Sequence, residues 1–62
     1  SGQVDPEFVA RIHQALGVCL RRLERIAEAL EHLRAARDIA REKLSADHPL
    51  TRRIEGLIAE IE

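Results

Sequence analysis

Aromatic side chains are almost missing from this 62-residue chain, which holds one Phe, no Trp and no Tyr. Base-stacking platforms of the kind that hold single-stranded nucleic acid are thereby excluded, and any core must be aliphatic. Methionine is absent and cysteine occurs once, at Cys19, so no disulfide can close within the chain. Such cysteine usage fits a reducing compartment, and a cytoplasmic setting is expected. No apolar run approaches the ~18 residues of a membrane span, and no signal-peptide pattern opens the chain, so no membrane partner is expected. An excess of one charge is missing too. Ten basic residues face eleven acidic ones, for a net charge of −1, which gives no pull toward polyanions and argues against nucleic acid as a partner.

Length excludes more. A chain this short forms one domain at most and buries only ~60% of the surface its unfolded form exposes. It cannot wall an enzyme-sized cleft, so no catalytic function is expected. With 45% hydrophobic and 34% charged residues, it is nevertheless too apolar for a disordered segment. Its marginal core calls for tight helix packing, a partner, or a second copy of the chain.

What is present is helical periodicity. Residues 1–5 are expected to be a disordered tail left by cloning, and Asp5 through Phe8 reads equally as native sequence or as a cloning junction. Asp5 still suits an N-cap, Pro6 the first helical position and Glu7 the positive end of the dipole. From Pro6 to about Arg22, the apolar residues Phe8, Val9, Ile12, Ala15, Leu16, Cys19 and Leu20 recur in steps dominated by three and four. Gly17 interrupts this pattern at a cost of ~1 kcal/mol against Ala, tolerable where a second helix packs on the bare backbone.

No Gly or Pro follows. The period itself breaks at Leu23-Glu24-Arg25, which leaves two readings open: a turn, or one unbroken helix from Pro6 to Leu44. From Ile26 to Leu44 the stripe is Ala29, Leu33, Ala36 and Ala40, flanked by Ile26, Leu30, Ile39 and Leu44. The opposite face carries Glu28, Glu31, Arg34, Asp38, Arg41 and Glu42. Ser45-Ala46-Asp47-His48-Pro49 must end this helix, because the residue before a proline avoids the α region. A third helix over Pro49–Ile61 carries Leu50, Ile54, Leu57, Ile58 and Ile61 on one face.

The expected fold class is therefore all-α: an antiparallel helical hairpin plus a third helix, forming a single domain over residues 6–62 with helices at about 6–22, 26–44 and 49–61. Leu16, Gly17 and Leu20 are expected to pack against Ala29, Leu33 and Ala36. The third helix either closes the core or offers Ile54, Leu57, Ile58 and Ile61 for self-association, and a homo-oligomer is expected.

Chemistry-bearing residues are few. His13, His32, His48 and Cys19 are the metal candidates; Glu28 and His32 stand four apart, a pairing common on solvated helices. No metal, cofactor or catalytic residue is expected. Cys19 lies between Leu16 and Leu20 with no base evidently beside it, so a buried structural thiol is expected. Arg21, Arg22 and Arg25 read as a solvated helix end that complements the dipole, or as a site for an acidic partner.

His13-x2-Leu16-Gly17-x2-Leu20, followed twelve residues after Gly17 by Ala29-x3-Leu33, resembles a tetratricopeptide repeat. Ala36 falls at a further small-residue position. The long second helix and its Asp47-His48-Pro49 tail look like the kinesin-light-chain type of repeat. His13, Leu20 and Leu33 stand where the family favours aromatics, and Glu24 where Gly is common. The resemblance favours the hairpin over the unbroken helix and implies a non-catalytic protein-protein interaction scaffold. It implies that Arg11, Gln14, Val18, Arg21 and Arg22 face the concave groove, where three arginines suit an acidic protein or peptide. Gln14 and Val18 do not meet the family's Lys and Asn clamp for a carboxylate. Such repeats need about three copies for stability, so neighbouring repeats, a partner or a second copy must complete the unit. The alternative is a docking or dimerisation helical domain of a larger multidomain protein, unrelated to these repeats.

Overall fold

The structure is a computed structural model and describes residues 4–62. The expected tail thus lies partly outside the described residues. Asp5 belongs to the fold: its carboxylate accepts a hydrogen bond from the Glu7 N–H at 2.9 Å and caps helix α1, Pro6–Arg22. Helix α2 spans Ile26–Lys43 and α3 spans Pro49–Ile61.

The unbroken helix is not what forms. Glu24 adopts φ 63, the left-handed region, and the chain turns there. The Glu24 N–H donates to the Arg21 carbonyl at 2.9 Å and the Arg25 N–H to the Leu20 carbonyl at 2.9 Å. This pair of bonds is a Schellman motif, which satisfies carbonyls that the end of α1 would leave unpaired. Glycine ordinarily fills the left-handed position, and here a glutamate bears the strain.

Small residues set the α1–α2 distance. Ala10, Ala29, Ala36 and Ala40 are fully buried, with Leu33 filling the space between them. A Cβ placed on Gly17 would stand 2.6 Å from Leu33 Cγ and 3.2 Å from the Ala29 carbonyl oxygen, so only glycine permits this approach. Leu16 is different. It was expected in the helix contact, yet it is 42% exposed, because Gly17 rather than its neighbour points at α2. Leu20 is half-buried.

The connection to α3 is held by polar contacts. His48 caps α3, its Nδ1 accepting from the Leu50 N–H at 3.0 Å. Thr51, fully buried, donates its hydroxyl to the Ser45 carbonyl at 2.7 Å. Leu50, Ile54 and Ile58 then bury against the α2 core. Helix α3 runs antiparallel to α2, with Arg41 beside Glu55 and Arg34 beside Glu62, and Arg21–Glu60 links the C-terminal ends of α1 and α3. The molecule measures 37 × 25 × 13 Å, so it is about one helix thick and has two broad open faces.

Candidate interaction surface

Thickness decides what kind of site is available. Among the described residues there is no cavity, and no group of three or more His, Cys, Asp or Glu side chains converges. No helix among them is long and apolar enough to cross a membrane. What the described residues present is their outer faces.

The most apolar of these faces lies on α1. Phe8 is 59% exposed, Ile12 and Leu16 more than 40%, and Leu23 67%. Phe8, Ile12 and Leu16 follow one another by about one turn, and Leu23, two turns beyond Leu16, extends the stripe. Cys19 lies on the same stripe and is exposed, contrary to the expected buried thiol: the side of α1 facing α2 is occupied by Ala10 and Gly17 instead. Ile26 continues the patch into α2 at 42% exposure.

The α1 stripe matches the buried face of α3. Adding 42 to Phe8, Ile12 and Leu16 gives Leu50, Ile54 and Ile58, the three aliphatic side chains that α3 buries on α2. The same shift carries Val9 onto buried Thr51 and Ala15 onto half-buried Leu57. The two helices thus carry one pattern, which α3 spends on a partner helix and α1 leaves uncovered.

The residues expected in a concave groove occupy another side of α1. Arg11 is exposed and paired with Glu7 at 2.9 Å. Gln14, Val18 and Arg21 are half-buried and follow one another at helical spacing, while Arg22 is exposed. Arg21 reaches Glu60 at only 3.8 Å, with both side chains partly in solvent, so the pair is weak. The expected self-association residues are redistributed. Ile54 and Ile58 are buried on α2 and cannot meet a second chain, while Leu57 and Ile61 are half-buried at the edge of the core. The open apolar face is on α1.

Sequence reasoning treated the histidines one at a time and so missed the one cross-helix polar contact between α1 and α2. His13 Nδ1 lies 3.1 Å from His32 Nδ1, with both side chains half-buried. Such a contact requires one Nδ1 to carry a hydrogen and the other a lone pair. The signal was in the helix register: once Gly17 is set against the Ala29 backbone, the antiparallel packing brings the preceding turn of α1 level with His32.

Fold and surface together define a helical-hairpin repeat unit: two antiparallel helices in close small-residue contact, a third that begins the pattern again, and an uncovered face where a preceding helix would fit. A family model for the tetratricopeptide repeat matches residues 8–62. The chain belongs to the tetratricopeptide-repeat family. Searches of curated proteins and of solved structures found no match.

Proposed function

We propose that this chain is a non-catalytic protein-protein interaction module of the kinesin-light-chain type of repeat, which docks through the exposed face of α1. The observation that carries this reading is the shared pattern of α1 and α3. The stripe Phe8-Ile12-Leu16 is built like Leu50-Ile54-Ile58, which α2 covers, so it suits a helix with α2's small-residue face, from an adjoining repeat or a second copy. The long second helix and the His48-Pro49 start of α3 support the subtype. A cytoplasmic setting belongs to the same reading, on the strength of the single cysteine.

Sedimentation of the isolated chain tests it. Self-association in the micromolar range is expected, with an unfolding temperature that rises with protein concentration. A variant carrying Phe8→Glu, Ile12→Glu and Leu16→Glu should keep its helicity and sediment as a monomer. A parent chain that stays monomeric at every concentration, and a longer natural chain that behaves the same with and without the three substitutions, would together sink the proposal.

The basic edge supports a narrower part of this reading, an acidic peptide as partner. Arg11, Arg21 and Arg22 lie with Gln14 and Val18 along one side of α1, and the ion pairs of Arg11 and Arg21 are partly solvent-exposed and weak. Arg21→Glu with Arg22→Glu should weaken binding of an acidic peptide without unfolding the chain. Equal binding after the reversal would discard that part alone.

A further inference from the structure

We propose that His13 and His32 form a two-ligand chelate for a divalent late transition metal such as Zn²⁺, clamping α1 to α2. The two Nδ1 atoms are 3.1 Å apart while the ring centroids are 5.3 Å apart, with the planes 28° from parallel. The nitrogens are much closer than the centroids, so the rings meet edge to edge with their Nδ1 corners converging. Two imidazole nitrogens at ~2.0–2.1 Å from a tetrahedral zinc stand about 3.3–3.4 Å apart. A shift of a few tenths of an ångström in side chains that are only half-buried reaches that span.

The surroundings suit a cation. One turn from His13 on α1 stand Val9, Ala10, Leu16 and Gly17, none of them charged. One turn from His32 on α2 stand Glu28, Ala29, Ala35 and Ala36; Glu28, the one charged group, is acidic and is paired with Arg25 at 2.7 Å. The acidic residues of α3 and its C-cap are engaged elsewhere, Glu55 with Arg41, Glu60 with Arg21 and the capping Glu62 with Arg34. No cation therefore faces the pair from one turn away. Water fills the remaining coordination positions, since the described residues supply no third ligand.

The proton inventory closes. Each neutral imidazole carries one N–H, and the hydrogen between the rings sits on one Nδ1. Coordination uses both Nδ1 lone pairs, so that hydrogen moves through solvent to Nε2 of the same ring. Nothing is oxidised, and the hydrogen count is unchanged between the two neutral rings and the chelate. Metal ions compete with protons for imidazole lone pairs, so acid disfavours such a chelate. Nitrogen ligands favour copper, nickel and zinc over magnesium.

Calorimetric titration of the chain with ZnCl₂, alongside thermal unfolding, tests the chelate. One zinc per chain is expected, with a rise in unfolding temperature of several degrees at saturation. His13→Ala and His32→Ala should each weaken binding at least about tenfold and abolish the thermal shift. His48→Asn, which keeps a capping side chain, should leave both intact, and MgCl₂ should give no binding. Zinc binding that survives loss of either His13 or His32, or a stoichiometry of one zinc per two chains, would overturn the proposal. If an alanine variant loses its helicity, imidazole ¹⁵N shifts of the unaltered chain decide: zinc must move both Nδ1 resonances and carry the Nε2 of the ring that gives up its Nδ1 hydrogen into the protonated range, and an unmoved Nδ1 in either ring refutes the chelate.

Discussion

Gly17 lies against Leu33 at a separation that leaves no room for a side chain at position 17. A methyl group on Gly17 would lie 2.6 Å from Leu33 Cγ and 2.7 Å from Leu33 Cδ2, and Leu33 is 1% exposed with no room to retreat. Gly17→Ala gains ~1 kcal/mol of helix propensity and loses about 1–3 kcal/mol to overpacking, so a net loss is expected. Gly17→Leu should cost more than about 1 kcal/mol. Gly56 provides the control. It is also mid-helix, but nothing lies within 4 Å of where its Cβ would be. Gly56→Ala should therefore stabilise by about 0.5–1 kcal/mol. Urea unfolding of the three variants, read by helical circular dichroism, should give opposite signs for the two alanine substitutions.

Glu24 carries the turn at a backbone angle that a side chain resists. A non-glycine residue in the left-handed region costs about 1–2 kcal/mol, and the Schellman hydrogen bonds hold it there. Glu24→Gly relieves that strain but adds freedom to the unfolded chain, so the net gain should be about 0.5–1 kcal/mol. In a domain this small, a change of ~1 kcal/mol moves the unfolding temperature by about 4–8 °C. A thermal scan should show a rise, whereas a fall would mean that Glu24 contributes a contact beyond its backbone.

The matched pattern of α1 and α3 predicts unequal costs for equal chemistry. Ile54 is fully buried and Ile12 is 44% exposed, although they occupy the same place in the two helices. Ile54→Ala should destabilise the chain by about 2–5 kcal/mol. Ile12→Ala should cost under about 1 kcal/mol in a dilute chain. The gap should narrow once Ile12 is covered, so denaturant titration at low and high protein concentration measures the covering directly.

The sequence made the helices legible but not their facing. Periodicity and the Pro6 and Pro49 starts placed all three within a residue of their observed bounds, since local backbone preferences decide them. The apolar residues of α1 cover too wide an arc to show which side meets α2. Val9, Leu16, Cys19 and Leu20 read as one apolar set, while the buried positions of α1 are Gly17, which was read as a helix contact, and Ala10, whose side chain is too small to score as an apolar anchor. Leu16 and Cys19 were misplaced for that reason. On α3 the arc is narrower, and Leu50, Ile54 and Ile58 were read correctly as one face; what covers it depends on α2, which a single-helix pattern does not contain. The His13–His32 contact was illegible for the same cause, because it joins two residues 19 apart through a register set by Gly17.

Thr51 and His48 join α3 to the end of α2 by two different means, and substitution separates them. The Thr51 hydroxyl is fully buried and donates to the Ser45 carbonyl at 2.7 Å. Thr51→Val keeps the shape and removes the donor. The Ser45 carbonyl then retains only the longer bond from the His48 N–H at 3.3 Å, and a loss of about 1 kcal/mol is expected. His48→Ala removes the side-chain cap of α3, which should cost about 0.5–2 kcal/mol, whereas His48→Asn should restore most of it because a short amide oxygen also accepts from the first turn. The double variant Thr51→Val/His48→Ala should lose more than the sum of the singles, because both side chains restrain the same five-residue connection. Strict additivity in a double-mutant cycle would show that α3 is positioned by Leu50, Ile54 and Ile58 alone, with the connection merely following.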